Sequence, residues 1–320
     1  MHTLFCFRLG LMFVLLVNVG PVLQAQTDSF KQVSEIPSKE VFDLFNDSKG
    51  FIWVANNLGI SRYDGIKFVT FSSPLQSSLA CTGIVEDEQG RIWINNFSGQ
   101  IFYIEHDEMK LLFAYDSSKE SAFPAIAIHK GNLYATSDHG LFILNTANMK
   151  GHYVAVSNSL SSVTNSLTVL NNGILAYGNR EWFLYKFSGS FRRIPFAAPT
   201  DVFKGNYSKL SNQALADTAF FFSNPTGLVN KIFLQNDTVK VKKEWLFNSF
   251  INTISISAGT QWVNTTKLSQ SLTGSKRLEG RNISDIITDK TGNVWYSSLS
   301  YGLWVIRAAS GIRYKDLELY

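Results

Sequence analysis

The chain has little of what most small exported or catalytic proteins are built on. It holds two cysteines, five histidines and seven prolines in 320 residues, and only 17% of the residues are charged. Five histidines without an HExxH pair, and so few thiols, argue against a structural zinc site. The 29 basic and 25 acidic residues are interspersed, with no run of like charge, which excludes the electrostatic footprint of a nucleic-acid binder. After residue 26 no apolar stretch approaches the roughly 20 residues that span a bilayer. There is no P-loop, no Gly-x-Ser-x-Gly elbow and no Gly-x-Gly-x-x-Gly after a strand, so NTPase, hydrolase and dinucleotide chemistry have no local support. No catalytic residue, metal or cofactor is assigned. What the chain does have is 45% hydrophobic and 14% aromatic residues, enough to build a large folded core.

The first 26 residues are a separate object. Arg8 precedes an apolar run from Leu9 to Val19, Gly20-Pro21 breaks it, and Leu23-Gln24-Ala25 offers a small residue at a cleavage point, the layout of a secretory signal peptide over 1–25. Cys6 falls inside that segment, leaving Cys81 as the single cysteine of the mature chain and no internal disulfide. A disulfide-free exported protein fits a bacterial periplasm or cell surface.

A repeat emerges from self-similarity. The segments VFDLFNDSKGFIWVANNLGISRYDG from Val41, CTGIVEDEQGRIWINNFSGQIFYIE from Cys81 and ISDIITDKTGNVWYSSLSYGLWVIR from Ile283 share apolar alternation, Asp, two polar residues, Gly, one residue, an aliphatic and Trp. Anchored on Trp53, the frame returns at Trp93, Tyr134, Leu175, Phe220, Trp262 and Trp295, with intervals of 40, 41, 41, 45, 42 and 33 residues. Seven strand-rich repeats of this period predict an all-β chain, a single seven-bladed β-propeller of four-stranded blades over 26–316, with 317–320 starting a linker or a truncated continuation. In the first repeat 41–45, 51–55, 59–63 and 67–71 read as the four strands, Asp64-Gly65 being a hairpin turn. Asp47, Asp87 and Asp289, each three residues before a Gly, are expected to bond turn amides; no third carboxylate at calcium-loop spacing accompanies them. The recurrent Trp is expected to pack between blades with its indole N–H satisfied locally. The segment 30–34 is expected to close the ring as the outer strand of blade seven, with 312–315 as its competitor.

The pattern DSKGFIWVANNLGISRYDG, echoed at 87–104 and 289–306, resembles the two-component regulator propeller repeat of extracytoplasmic sensor regions in Bacteroidetes-type sensor histidine kinases. The likeness is strong in repeats one, two and seven, fair in repeat three, and degenerate in repeats four to six, where Leu175 and Phe220 stand for Trp. It implies a periplasmic ligand-sensing role, with a membrane-bound histidine kinase as partner either in cis, through a missing C-terminal part, or in trans. In a longer parent chain the propeller would be membrane-anchored.

In a closed ring the turns between second and third strands all point to one face. Here they are rich in amides and hydroxyls with a few aromatics, a composition suited to a neutral polar ligand such as a glycan fragment or other small solute, and equally the composition any tight turn prefers. The predicted ligand-binding residues are Asn57, Asn96 and His139 as hydrogen-bonding groups, Arg180 and Lys267 as cations able to take an acidic sugar, and Phe97, Trp182 and Tyr301 as stacking rings. Two alternatives stay open: a secreted propeller-fold polysaccharide lyase or hydrolase, whose residues would converge from several blades without a linear motif, and a protein-binding scaffold propeller.

Overall fold

The computed structural model describes residues 30–119, 124–138, 140–155, 166–178, 181–197, 207–211, 214–215, 218–224 and 227–308. They form seven β-sheets, six of them wholly antiparallel. The inner strands, in chain order, are Val41–Asn46, Cys81–Glu86, Ile126–His129, Ser166–Leu170, Tyr207–Leu210, Ile251–Ser257 and Ile283–Thr288. Each is followed by a second, third and outer strand, so the expected seven-bladed propeller is the observed fold. Blade one has Ile52–Asn56, Gly59–Tyr63 and Phe68–Phe71 after its inner strand, within a residue of the sequence expectation.

The ring closes as the sequence predicts. Lys31–Gln32 pairs with Gly302–Ile306 of blade seven, Lys31 opposite Val305 and Gln32 opposite Trp304, and the Val33 amide donates to the Leu303 carbonyl at 2.9 Å. The first strand of the ring therefore covers the otherwise open edge of its last blade. The competing segment 312–315 and the leader at 1–25 lie outside the described residues. Blade five departs from the pattern: a short strand, Phe196–Ala197, adds in parallel to its outer strand Thr238–Leu246, giving a five-stranded sheet.

The core is distributed between blades. Seven clusters of buried apolar residues occur, one at each interface between neighbouring blades, and each contains one of the seven repeat anchors. Trp53 packs between blades one and two with Ile84 and Ile92, and Trp93 between two and three with Leu133 and Phe142. Tyr134, Leu175, Phe220 and Trp262 occupy the next four interfaces, and Trp295 packs on Val41 and Val54 of blade one to complete the circle. A large flat side chain on the second strand reaches across the roughly 10 Å separating stacked sheets, which is why the aromatic recurs at that position.

The turns ahead of the tryptophans explain the conserved spacing within the repeat. Asp47 Oδ1 accepts from the amides of Lys49 and Phe51 at 2.9 and 2.8 Å, and its Oδ2 accepts from Trp53 Nε1 at 2.8 Å. Asp87 and Asp289 repeat this bonding with Trp93 and Trp295. One carboxylate thus shapes the turn and satisfies the buried indole. The glycine three residues after each Asp takes positive φ, at +90°, +76° and +84° for Gly50, Gly90 and Gly292, where a side chain would be strained.

Candidate functional site

Two concave features stand out: the face carrying the turns between second and third strands, and the bore of the ring.

On the turn face the predicted residues separate. Phe97 and Tyr301 are 40% and 42% exposed, unusual for rings and sufficient to offer a flat apolar surface to a ligand. Phe97 rests on Phe42 with ring centroids 4.9 Å apart. Arg281, which the sequence reading missed, sits with its guanidinium 4.5 Å from the centre of the Tyr301 ring, a cation–π contact that brings a positive charge to the same spot. Lys267 is exposed, and its carbonyl accepts from the Gly280 amide at 2.7 Å, tying its turn to the loop that carries Arg281. Asn57 is exposed and accepts from the Ser38 hydroxyl at 2.6 Å. Lys39, next to Ser38, accepts through its carbonyl from Gly302, beside Tyr301, at 2.8 Å. Asn57, Phe97, Lys267 and Tyr301 thus occupy one sector of the face, formed by blades six, seven, one and two. Exposed Leu58, Leu79 and Phe250 lie in turns and blade connections on the same face.

Two predicted residues are corrected. Asn96 is fully buried and its amide is consumed by the turn: Nδ2 donates to the Ser78 carbonyl and to Gln100 Oε1, while Oδ1 accepts from the Ser98 and Gln100 amides. It builds the turn and has no group left for a ligand. Trp182 is 3% exposed, stacked on Phe196 and packed against Tyr177 and Phe221 in the core between blades four and five. It lies one residue inside the third strand, Glu181–Lys186, where alternation turns it to the neighbouring blade. His139 and Arg180 lie outside the described residues.

The bore is more highly organised than the sequence suggests. A cavity of about 670 Å³ is lined by inner-strand residues of all seven blades. Counting two residues past each anchor and crossing to the paired inner strand identifies one position per blade: Asp43, Thr82, Ala125, Ser166, Lys209, Thr253 and Asp285, with Gly83 next to Thr82 in a bulge between Thr82 and Val85. All seven line the cavity, forming a ring at one level. Bulges at 41/43, 251/253 and 283/285 bring Asp43, Thr253 and Asp285 into that level.

Asp43 and Asp285, on the adjoining blades one and seven, are hydrogen-bonded to each other. Burial, and then the neighbouring Asp285 carboxylate, push Asp43 up to about 7, and burial raises Asp285 as well. Two neighbouring buried carboxyls favour a shared proton, so the pair titrates as a unit. The same oxygens stitch blades together: Asp43 accepts from the Ile84 amide of blade two at 3.0 Å, Asp285 accepts from the Leu44 amide of blade one at 3.2 Å, and Ser255 of blade six donates to Asp285 at 2.5 Å. Lys209 on blade five is separated from the pair by blade six on one side. It forms no ion pair among the described residues, and burial lowers its ammonium. Cys81, the one cysteine among the described residues, is buried, and burial pushes its thiol up to about 12, so it is chemically inert.

No protein-family model matches this chain, and no curated protein matches it in sequence. Solved structures match in fold. The extracellular domain of the putative hybrid two component system BT4673 from B. thetaiotaomicron aligns over 88% of this chain with a TM-score of 0.65 and 17% identity. That of the putative hybrid two component system BT3049 from the same organism aligns over 87% with a TM-score of 0.65 and 15% identity. Virginiamycin B lyase from Staphylococcus aureus aligns over 88% at 0.68 and 14% identity, and the match covers 99% of that chain. This chain spans about two fifths of the two-component ectodomains, 40% and 41% of their lengths. At such identities the likeness establishes the seven-bladed fold.

Proposed function

We propose that this propeller is an extracytoplasmic ligand-sensing module of a two-component signalling system, non-catalytic itself, whose turn face recognises a glycan fragment or other small polar solute. The observation that carries this reading is the sector in which exposed Phe97 and Tyr301 stand among amides and hydroxyls, with Lys267 and Arg281 beside them. Sugars are held by this combination of flat apolar faces and hydrogen-bonding groups. The repeat pattern and the two-component ectodomains of like fold support the signalling role, and the apolar leader with Ala25 at its end supports export to the periplasm or cell surface. The ligand signal would pass to a membrane-bound histidine kinase, in cis or in trans.

The test is a calorimetric glycan screen of the wild type beside Phe97→Ala/Tyr301→Ala. Loss of two stacking rings should weaken a bound glycan roughly ten- to hundredfold while melting is unchanged. Equal binding by a folded double variant would move recognition off this face. The lyase reading has support from the virginiamycin B lyase fold match; turnover of any screened glycan by the purified protein would favour it over sensing.

A further inference from the structure

We infer that the bore holds a second binding site, for a small hydroxylated carboxylate such as a single hexuronate, with Lys209 taking the carboxylate and Asn95 a hydroxyl.

The argument starts from Gly83. It lines the cavity without a side chain, in the bulge that follows Thr82, and its φ of +70° is glycine's. A Cβ built there would lie 2.2 Å from Asn95 Oδ1. Asn95 comes from the second strand of blade two, Ile92–Asn96, a layer behind the bore. The missing side chain is therefore a window through which the Asn95 amide reaches the cavity wall. Asn95 is 1% exposed, and neither its Nδ2 nor its Oδ1 has a hydrogen-bond partner. Leaving both ends of a buried amide unmade is costly, and a ligand hydroxyl, which both donates and accepts, would satisfy them together.

Lys209 presents the complementary need. Its side chain lines the bore from blade five, exposed there and without an ion-pair partner among the described residues. An anion in the bore would supply that pairing, and the concave wall holds it close to the ammonium. The wall formed by Asp43 and Asp285 sets the rest of the ligand. Their oxygens already accept backbone and hydroxyl donors, and they present acceptor surface to the cavity, so a second negative group is repelled there while hydroxyls are welcome. One anionic end and a hydroxylated body is the chemistry of a sugar acid. The cavity, at about 670 Å³, falls in the size range of small-molecule sites.

This site is separate from the turn face, and the experiment distinguishes the two. Galacturonate, glucuronate, galactose and serine are titrated into the purified protein, into Lys209→Met, into Asn95→Ser and into Phe97→Ala/Tyr301→Ala. A uronate should bind the wild type at least tenfold more tightly than galactose or serine. Lys209→Met should weaken that binding tenfold or more, Asn95→Ser severalfold, and the turn-face double variant less than twofold. Should Lys209→Met not fold, Lys209→Arg takes its place: it should retain uronate binding, and that binding should weaken as salt is raised. The inference is overturned if neither uronate binds the wild type at about 20 mM, weaker than any useful site. It is also overturned if folded Lys209→Met binds as the wild type does, if serine is preferred, or if only the turn-face variant loses binding.

Discussion

Trp93 donates its indole N–H to Asp87 Oδ2 at 2.7 Å, and the same carboxylate, through Oδ1, holds the turn that leads into the strand carrying Trp93. The pair recurs as Asp47 with Trp53 and Asp289 with Trp295. A single short-range bond thus couples the turn of one blade to the core it shares with the next.

That coupling is measurable. Trp93→Ala removes the largest fully buried side chain and should cost roughly 3–5 kcal/mol. Asp87→Ala strips the turn amides, leaves the indole N–H unpaired and strands the buried Arg91 guanidinium, whose Nε donates to Asp87 Oδ2 at 2.7 Å, at a cost of roughly 3–5 kcal/mol. Because the second loss includes the bond to Trp93, the double variant should be less destabilised than the sum. Urea denaturation of the four proteins reads this out, and simple additivity would show that the pair does not act as a unit.

The carboxyl pair in the bore makes stability depend on pH in an unusual direction. Asp43 is raised from the ordinary 3.8 to about 7 in the folded ring, so the folded state favours its protonated form. The contribution is fully present below about pH 4 and is lost as pH rises through about 7, falling by at most about 1.4 kcal/mol per pH unit for one proton. Asp43→Asn keeps a neutral group of the same shape, able to accept from Ile84 and to donate to Asp285. Its stability should lose less than that of the wild type between pH 4 and 7. Urea midpoints of both proteins across that range give the difference directly; parallel curves would mean that the two carboxyls ionise independently.

Removing the closing strand should unlatch the ring. A chain lacking residues 30–34 forfeits the Lys31–Val305 pairing and the bond from Gln32 Nε2 to the Tyr301 carbonyl, and bares the edge of Gly302–Ile306. An uncovered edge strand pairs with other chains. The expected outcome is a lowered melting temperature together with oligomers in size-exclusion chromatography; a monomer of unchanged melting would show the outer strand to be dispensable.

The ring was legible in the sequence because its markers are local. Asp, Gly and Trp at fixed offsets report one turn and one interface, and even where Trp gives way to Leu175 or Phe220 the anchor still falls in the core, since any large apolar side chain can fill that place. The turn face was half legible. Asn57 and Asn96 are both turn amides, but Asn96 stands three residues past its anchor, like buried Asn56, and opens a turn whose amides and Gln100 use up its side chain, whereas Asn57 stands one residue further on. Trp182 misled because it follows the turn by two residues, already inside the third strand, where alternation sends it to the core. The bore residues escaped notice for a different reason. Asp43 and Asp285 stand more than 200 positions apart on two inner strands, and only ring closure brings them to one level with Lys209 and Gly83.

Each anchor sits between two blades, so no blade possesses a core of its own. A blade that opened alone would expose the clusters on both of its sides, and its two neighbours would each lose half of theirs. Partial opening is therefore penalised twice, and the ring, unlike an open stack of repeats, has no end from which to fray. Amide hydrogens in the second strands of blades one, two and seven should accordingly exchange through one common event, at rates that converge across the molecule instead of grading from one terminus to the other.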